Sequence, residues 1–317
     1  NSARIPEISL GSAIQPTYLK DLDVPGDRLS YGDFSLRFLV DENMENYMAV
    51  HNWLTGLGFP ETTQQFKDLV TNDDGITAPG IRVLIEVMNE IGDVFVVAPD
   101  SPQSGMGHAI TVDNVLHCNS ITVDDGPQIE YSCSGTPADC VKMAVNNILN
   151  RKPDLCVSGI NHGSNSSINV IYSGTMSAAV EAGIEGVPAI GFSLLDFNWH
   201  ADFTASKKII KQIVLEALKK KIPEATVLNV NIPNLPEKDI KGIKICRQAN
   251  GNWQENFDKR TSPNGKEYYW LSGEFVCQDK GEDTDIWALD NGYVSVVPVQ
   301  FDMTAHHTIQ KLNTWDL

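Results

Sequence analysis

The chain has 317 residues, a formal net charge of −17 and 42% hydrophobic residues. This length suffices for one large α/β domain and an additional segment. The excess of acidic residues argues against a nucleic-acid polymer as the main partner, because binding to a phosphate backbone relies on Lys and Arg. Six cysteines form no CxxC pair. Together with the lack of a signal-peptide pattern, they predict buried free thiols and a cytoplasmic protein.

The first 68 residues predict a small α+β appendage, separate from a main domain over residues 69–317. An alternating strand is predicted over residues 34–40 and a helix over residues 43–57. The string LSYGDFSLRFLVDENMENYMAVHNWLTGLGFP resembles part of a tailed-phage tail-tube or baseplate protein. We expect two unrelated sequences to join at LVTNDDG, where Asp68 would place a carboxylate in a central strand.

The main domain begins with a short apolar strand that ends in Asn72-Asp73-Asp74-Gly75. After it, Ile81, Leu84, Ile85 and Met88 share one face of a predicted helix over residues 76–91. Asp73 and Asp74 therefore lie in a strand-to-helix turn, at the edge where open α/β sheets bind ligands. Read alone, the pair could equally be an Asx-rich turn that caps the helix.

Two further strands, predicted over residues 93–98 and 154–160, are each followed at once by polar residues. The first leads to Ser104 and the second to Asn161-His162-Gly163; Ser173-Gly174-Thr175 then opens a helix predicted to run to Gly186. These clusters can converge on one crevice. The uncharged stretch 155–180 is too rich in Asn, Ser and Gly for a membrane span, so we expect no membrane association.

The remaining elements predict a three-layer, mostly parallel, Rossmann-like α/β sheet with a β-rich C-terminal extension over about residues 242–300. Helices are expected over residues 140–149 and 201–221, and strands near 227–232, 243–246, 268–276 and 293–299. The extension carries Trp253, Tyr268, Tyr269 and Trp270. These aromatic residues suit either an interface or a local core.

Five motifs in order resemble the SurE family: VTNDDGITAPGI, VVAPDSPQSGMGHAIT, SGTPADCVKMA, PDLCVSGINHGSN and YSGTMSAAVEAGIEGVPAI. The resemblance implies a divalent-metal-dependent phosphatase that acts on nucleoside 5′- or 3′-monophosphates. It also implies a homo-dimer or tetramer, joined partly by the terminal segment. The metal ligands it implies are Asp73, Asp74, Ser104 and Asn161, with catalysis at Asp73, Asp74 and Asn161.

The chemistry of these ligands agrees with that implication. Two carboxylates, a hydroxyl and an amide carbonyl are hard oxygen donors, which suit Mg²⁺ or Mn²⁺ better than zinc. Ser173, Gly174 and Thr175 stand where a helix start favours a phosphate, although Ser173 could equally be a plain N-cap. Thr136, which follows Gly135 in a capped helix entry, is a weaker candidate for substrate contact. His162 either assists proton transfer or orients Asn161, and we favour orientation.

Two alternatives remain open at this stage. A dehalogenase-like phosphatase would use an aspartyl nucleophile, but its two aspartates are separated by one residue, whereas Asp73 and Asp74 are adjacent. A phage structural protein with an inactive C-terminal portion would need no intact set of oxygen ligands, and here all four are present.

Overall fold

A computed structural model describes residues 2–4, 8–15, 22–31, 35–37 and 66–315. The chain forms two compact units, Asn1–Glu61 and Thr62–Leu317. In the first unit, β1 (Ser2–Arg4) pairs antiparallel with β4 (Ser35–Arg37), and β2 (Ile8–Gln15) pairs antiparallel with β3 (Leu22–Tyr31). The helix predicted over residues 43–57 lies outside the described residues.

The second unit is built on a nine-stranded sheet. Its spatial order is β12-β15-β11-β10-β9-β5-β6-β8-β7, and all neighbours are parallel except the pairs β11–β15 and β7–β8. The strands are β5 (Lys67–Thr71), β6 (Asp93–Pro99), β7 (Cys118–Ile121), β8 (Ile129–Cys133), β9 (Leu155–His162), β10 (Ala189–Leu194), β11 (Thr226–Ile232), β12 (Ile243–Ile245) and β15 (Val294–Gln300).

Helices cover both faces of this sheet. They are α1 (Pro79–Asn89), α2 (Pro137–Met143), α3 (Gly174–Ile184), α4 (Thr204–Lys220) and α5 (Asp285–Asp290). The last helix, α6 (His306–Leu312), has no buried residue. One core cluster joins α1 and α4 to one face, and a second joins α2 and α3 to the other. The predicted three-layer architecture is thus confirmed. Among the described residues, no helix combines the length and the apolar character needed to cross a membrane.

Helix α1 shows how the sequence sets local structure. The buried side of the helix carries Ile81, Leu84, Ile85 and Met88, as their spacing predicts. The helix begins at Pro79 rather than at residue 76, since Gly75 takes a φ of +94° in the preceding turn and proline is favoured in the first turn.

The predicted extension contains a long hairpin of β13 (Gly251–Thr261) and β14 (Glu267–Cys277), paired antiparallel from Gly251↔Cys277 to Thr261↔Glu267. Most of its side chains are exposed. The chain then returns through α5 to β15, which pairs with both β11 and β12.

Two features differ from the sequence predictions. Strands β7 and β8 were not predicted, because they are short and partly polar; β7 is the edge strand of the sheet and β8 is its neighbour. The prediction of free thiols was wrong for Cys118 and Cys133, which form a disulfide between these strands. Cys140, Cys156 and Cys246 are buried free thiols, as predicted.

Candidate active site

The candidate site lies where β6, β5 and β9 end side by side. These neighbouring strands are parallel, so the residues that follow them emerge at one edge of the sheet. A cavity of about 580 Å³ opens there. Its lining includes five residues singled out from the sequence: Asp73, Ser104, Asn161, His162 and Ser173.

Asp73 is buried and held from the start of α3. Its Oδ1 accepts a hydrogen bond from the Thr175 hydroxyl at 2.5 Å, and only 3% of the residue is exposed. Burial, together with the adjacent negative charge of Asp74, raises the pKa of Asp73 to about 6. A Cβ placed on Gly174 would lie 2.6 Å from the Asp73 Cβ. The first turn of α3 therefore packs directly on this carboxylate.

Asp74 is paired with His162. Its Oδ2 lies 2.9 Å from the His162 Nδ1 and accepts a hydrogen bond from the His162 backbone N–H at 3.2 Å. The His162 ring stacks on Trp199, with centroids 5.5 Å apart, and meets the edge of Phe203. These contacts fix both the ring and the carboxylate that it touches.

Asn161 and Ser104 add neutral oxygen atoms to the site. The Asn161 amide nitrogen donates to the backbone oxygen of Gly163 at 2.8 Å, which leaves its side-chain oxygen for a ligand. The loop that carries Ser104 is attached beside Asp73, because the Gln103 N–H donates to the Asp73 backbone oxygen at 2.7 Å. Ser104 itself is exposed.

The other residues predicted to contact the substrate form hydrogen bonds within the protein. Ser173 is the N-cap of α3, and its hydroxyl accepts from the Met176 N–H at 3.0 Å. Thr175 is fully buried beneath Asp73. Thr136 caps α2 in a capping box with Asp139, and its hydroxyl donates to the Ala109 backbone oxygen. The structure therefore brings Ser173, but not Thr136, into the cavity lining.

The loop between β6 and β7 is tied to the helices by a charged cluster that the sequence did not reveal. Glu181 on α3 is 2% exposed. Its carboxylate accepts from the Lys142 Nζ at 2.6 Å and lies 2.7 Å from the His108 Nε2. Asp139 holds the same loop through the N–H and hydroxyl of Thr111. These contacts anchor the loop that presents Ser104.

The other wall of the cavity is largely aromatic and apolar. Residues of the β13–β14 hairpin and of α5 line it, and sequence spacing did not reveal their approach to the site. They are Trp253, Phe275, Ile286, Leu289 and Asp290, with Tyr172 and Phe197 nearby in the lining. The large number of aromatic residues in the extension was the sequence feature that could have indicated this wall.

Comparison with known proteins identifies the family of the main unit. The model of the family "Survival protein SurE" matches residues 69–255. The chain is 72% identical over 249 residues to the 5′-nucleotidase SurE of Flavobacterium psychrophilum, covering 78% of this chain and 97% of that protein. It is 47% identical over 250 residues to the 5′-nucleotidase SurE of Bacteroides fragilis, with coverage of 78% and 97%.

The fold agrees with these matches. The crystal structure of the SurE protein from Aquifex aeolicus superposes with a TM-score of 0.68 at 42% identity, covering 78% of this chain and 98% of that one. The matches give no support to a phage-tail origin for residues 1–68, to a dehalogenase-like enzyme or to a phage structural protein. The main unit carries the SurE motifs on a three-layer α/β sheet, and the chain belongs to the SurE family.

Proposed function

We propose that this chain is a divalent-metal-dependent phosphatase that hydrolyses nucleoside 5′- or 3′-monophosphates. The observation that carries the proposal is the convergence of Asp73, Ser104 and Asn161 in one cavity at the carboxyl edge of the sheet. The 5′-nucleotidase names of relatives up to 72% identical support the same substrate class.

The donor set fits a hard cation. Asp73 and Asp74 bring two neighbouring carboxylates into a largely buried position, where their repulsion is unfavourable without a counter-charge. Burial, and then the charge of Asp74, raise the pKa of Asp73 to about 6, as expected for two carboxylates that repel each other. Within residues 66–315 and the short described strands before them, no cluster of three His, Cys, Asp or Glu side chains could hold a metal. A cation would therefore also need the oxygens of Ser104 and Asn161.

These four residues would hold Mg²⁺ or Mn²⁺. A bound cation of this type polarises a phosphoryl oxygen and lowers the pKa of water. Thr175 and the close approach of Gly174 fix the position of Asp73. His162 fixes Asp74 through its Nδ1 and its backbone N–H.

The phosphate group would lie at the start of α3. Ser173 lines the cavity there, and the first backbone N–H groups of a helix, aided by the helix dipole, attract an anion. Gly174, which carries no side chain, lets this first turn pack against Asp73. The aromatic wall across the cavity is then left for the nucleoside.

The assembly and location follow as further parts of this proposal. The exposed Phe257, Tyr269, Trp270 and Leu271 of the hairpin suit an interface in a homo-dimer or tetramer. A cytoplasmic location is also part of the proposal: the buried free thiols of Cys140 and Cys156 suit a reducing compartment, whereas the Cys118–Cys133 disulfide is of a kind that is rare there. The net charge of −17 favours a small metal-held nucleotide over a nucleic-acid polymer.

A substrate panel tests the proposal. Purified protein is assayed for phosphate release from nucleoside monophosphates and simple phosphomonoesters, with Mn²⁺, with Mg²⁺ and after chelation. We expect turnover only with a divalent cation, and loss of most of it in Asp73→Asn with the fold retained by circular dichroism. Metal-independent turnover, or near-normal turnover of Asp73→Asn at saturating Mn²⁺, would contradict the metal assignment.

A further inference from the structure

The cavity runs from the metal-binding edge to a wall of the hairpin. Asp73 and Asn161 line one part of it, and Trp253 and Phe275 line another. At about 580 Å³ the cavity is in the size range of small-molecule sites. A phosphate group alone would fill only a small part of that space, so the aromatic wall requires a role of its own.

Trp253 is held more firmly than an ordinary surface aromatic residue. It is 42% exposed, yet its indole N–H donates to the Asn169 Oδ1 at 2.8 Å. The Phe275 ring meets it edge-on, with centroids 5.9 Å apart and planes at 67°. The indole is thus fixed both at its polar atom and by an aromatic neighbour, while much of its surface remains open.

The segment that fixes Trp253 also leads into the phosphate end of the cavity. Asn169 belongs to a 3-10 helix, Ser167–Ile171, which is followed by Tyr172 and Ser173. The Ser167 hydroxyl accepts from the Gly251 N–H at 3.2 Å, at the root of β13. Its backbone N–H donates to the buried Asp285 at 2.7 Å. The aromatic wall and the start of α3 are therefore joined by one short, anchored segment.

The polar groups of this wall suit an uncharged ring system with donor groups. Asp290 is the acidic member of the lining at this end, beside Ile286 and Leu289. A carboxylate accepts from O–H and N–H groups and repels a second phosphate. Aromatic faces stack on every nucleobase, because each base has a π-face.

We propose that Trp253, supported by Asn169 and Phe275, is the platform on which the base of the substrate stacks. This inference rests on the proposed nucleotidase function and deepens it. Trp253 would make the enzyme select nucleotides over phosphomonoesters without a base, with little discrimination among bases. It is a specificity-determining residue, apart from the groups that act on the phosphate.

The test compares two substrates that differ by the base. The ratio of kcat/KM for adenosine 5′-monophosphate to that for ribose 5-phosphate is measured, with Mn²⁺, in the full chain and three variants. We expect Trp253→Ala to lower this ratio about tenfold, mainly through KM for the nucleotide. Trp253→Phe should retain most of it. Tyr268→Ala removes an equally exposed aromatic side chain of the same hairpin (41% against 42%) that lies outside the cavity lining, and it should leave the ratio unchanged.

Binding of adenosine, measured by calorimetry without metal, separates this inference from the proposed function. Adenosine should bind the full chain and Tyr268→Ala, and bind Trp253→Ala about tenfold more weakly. This binding result would support the role of Trp253 as a platform even if the chain hydrolysed neither substrate. A lack of hydrolysis would refute the proposed nucleotidase function but not the platform. An unchanged ratio and unchanged adenosine binding in Trp253→Ala would overturn the platform, as would a full chain that neither prefers the nucleotide nor binds adenosine.

Discussion

Asp73 and Asn161 show how single residues are prepared for a ligand by their neighbours. Thr175 donates to the carboxylate of Asp73, and the backbone oxygen of Gly163 accepts from the amide nitrogen of Asn161. Each hydrogen bond uses one polar atom of the side chain and leaves the other polar atom available to a ligand in the cavity. The orientation of these groups is therefore set before any ligand arrives, which is the arrangement that metal sites require.

Replacement of Asn161 by Ala should weaken metal binding without altering the charge of the site. We expect the Mn²⁺ concentration for half-maximal activity to rise about tenfold, equivalent to about 1.4 kcal/mol. Excess metal should restore part of the activity. Asn119→Ala, at an exposed position of β7, is the matched control. Loss of turnover that no metal concentration rescues, with unchanged metal affinity, would place Asn161 in a purely catalytic role.

Replacement of Gly174 by Ala should disturb Asp73 directly. The added Cβ would lie 2.6 Å from the Asp73 Cβ and 2.8 Å from its Oδ2, so either the helix start or the carboxylate must shift. We expect activity to fall about tenfold or more, since small misplacements of reacting groups slow catalysis strongly. Thermal melting should change little by comparison. Full activity in this variant would show that the contact is easily relieved.

Sequence could locate these residues because each follows an apolar strand. It could not pair Asp74 with His162, which are 88 positions apart, because such a contact depends on how β5 and β9 are placed. Nor could it decide between a cap and a ligand for Ser173. That distinction depends on hydrogen bonds within the first turn of α3.

Among the elements, the loop between β6 and β7 is held by contacts from outside itself. It contains little regular structure, and Glu181, Lys142 and His108 join it to α2 and α3. Ser104 is carried by this loop. Its position therefore depends on the buried carboxylate of Glu181 on α3.

Replacement of Glu181 by Gln should loosen this loop while keeping the volume of the side chain. The charged hydrogen bonds to Lys142 and His108 would weaken, and such bonds stabilise by about 1.5–3 kcal/mol each. We expect faster amide exchange over residues 104–111 and a higher Mn²⁺ requirement. Glu185→Gln, one turn further along at a less buried position, serves as the control. Equal exchange rates in both variants would show that the cluster does not hold the loop.

Removal of residues 1–61 should leave the main unit folded and active. The cut must stop there, because the backbone oxygens of Phe66 and Lys67 accept hydrogen bonds from Asp93 and Asp154, each at 2.8 Å. The family match begins at residue 69, so its motifs lie within the retained part. Comparison of kcat, KM and melting temperature with those of the full chain checks this. Unfolding of the shortened chain would show that the first unit is integral.

At the level of elements, apolar periodicity predicted the central strands and α1, α3 and α4. It failed for β7 and β8, which are short and partly polar and therefore show no clear apolar pattern. The expected domain boundary at residue 68 stays a prediction; the compact units divide between Glu61 and Thr62. Within the strand predicted over residues 34–40, Ser35–Arg37 forms β4 and pairs with β1.

For the whole molecule, Asp68 links stability to pH. It is fully buried in β5, and neither carboxylate oxygen has a hydrogen-bond partner among the described residues. Burial, followed by the charge of Asp154, raises the pKa of Asp68 to about 8. The folded state therefore holds this proton more tightly than the unfolded state, in which the pKa is about 3.8.

The contribution of this group to stability should decrease as pH rises from about 4 to about 8, because the unfolded state loses its proton first. Asp68→Asn removes this dependence. We expect it to raise the free energy of unfolding at pH 7 by an amount on the order of 3 kcal/mol, and by much less at pH 4. Chemical denaturation across this range, with the exposed Asp125→Asn as control, measures the difference. A variant less stable than the parent chain at pH 7 would contradict the assignment.

The strand order has a consequence for the path by which the protein becomes active. The cavity draws on residues from Asp73 to Asp290, and most sheet neighbours are parallel strands that only long crossovers can join. Such distant pairings form slowly, since loop-closure entropy opposes them until the contacts are made. During refolding, secondary structure should therefore return before activity does. No short segment of the chain contains the whole cavity, so enzymatic activity reports on the assembly of the strands and loops that bring its lining together.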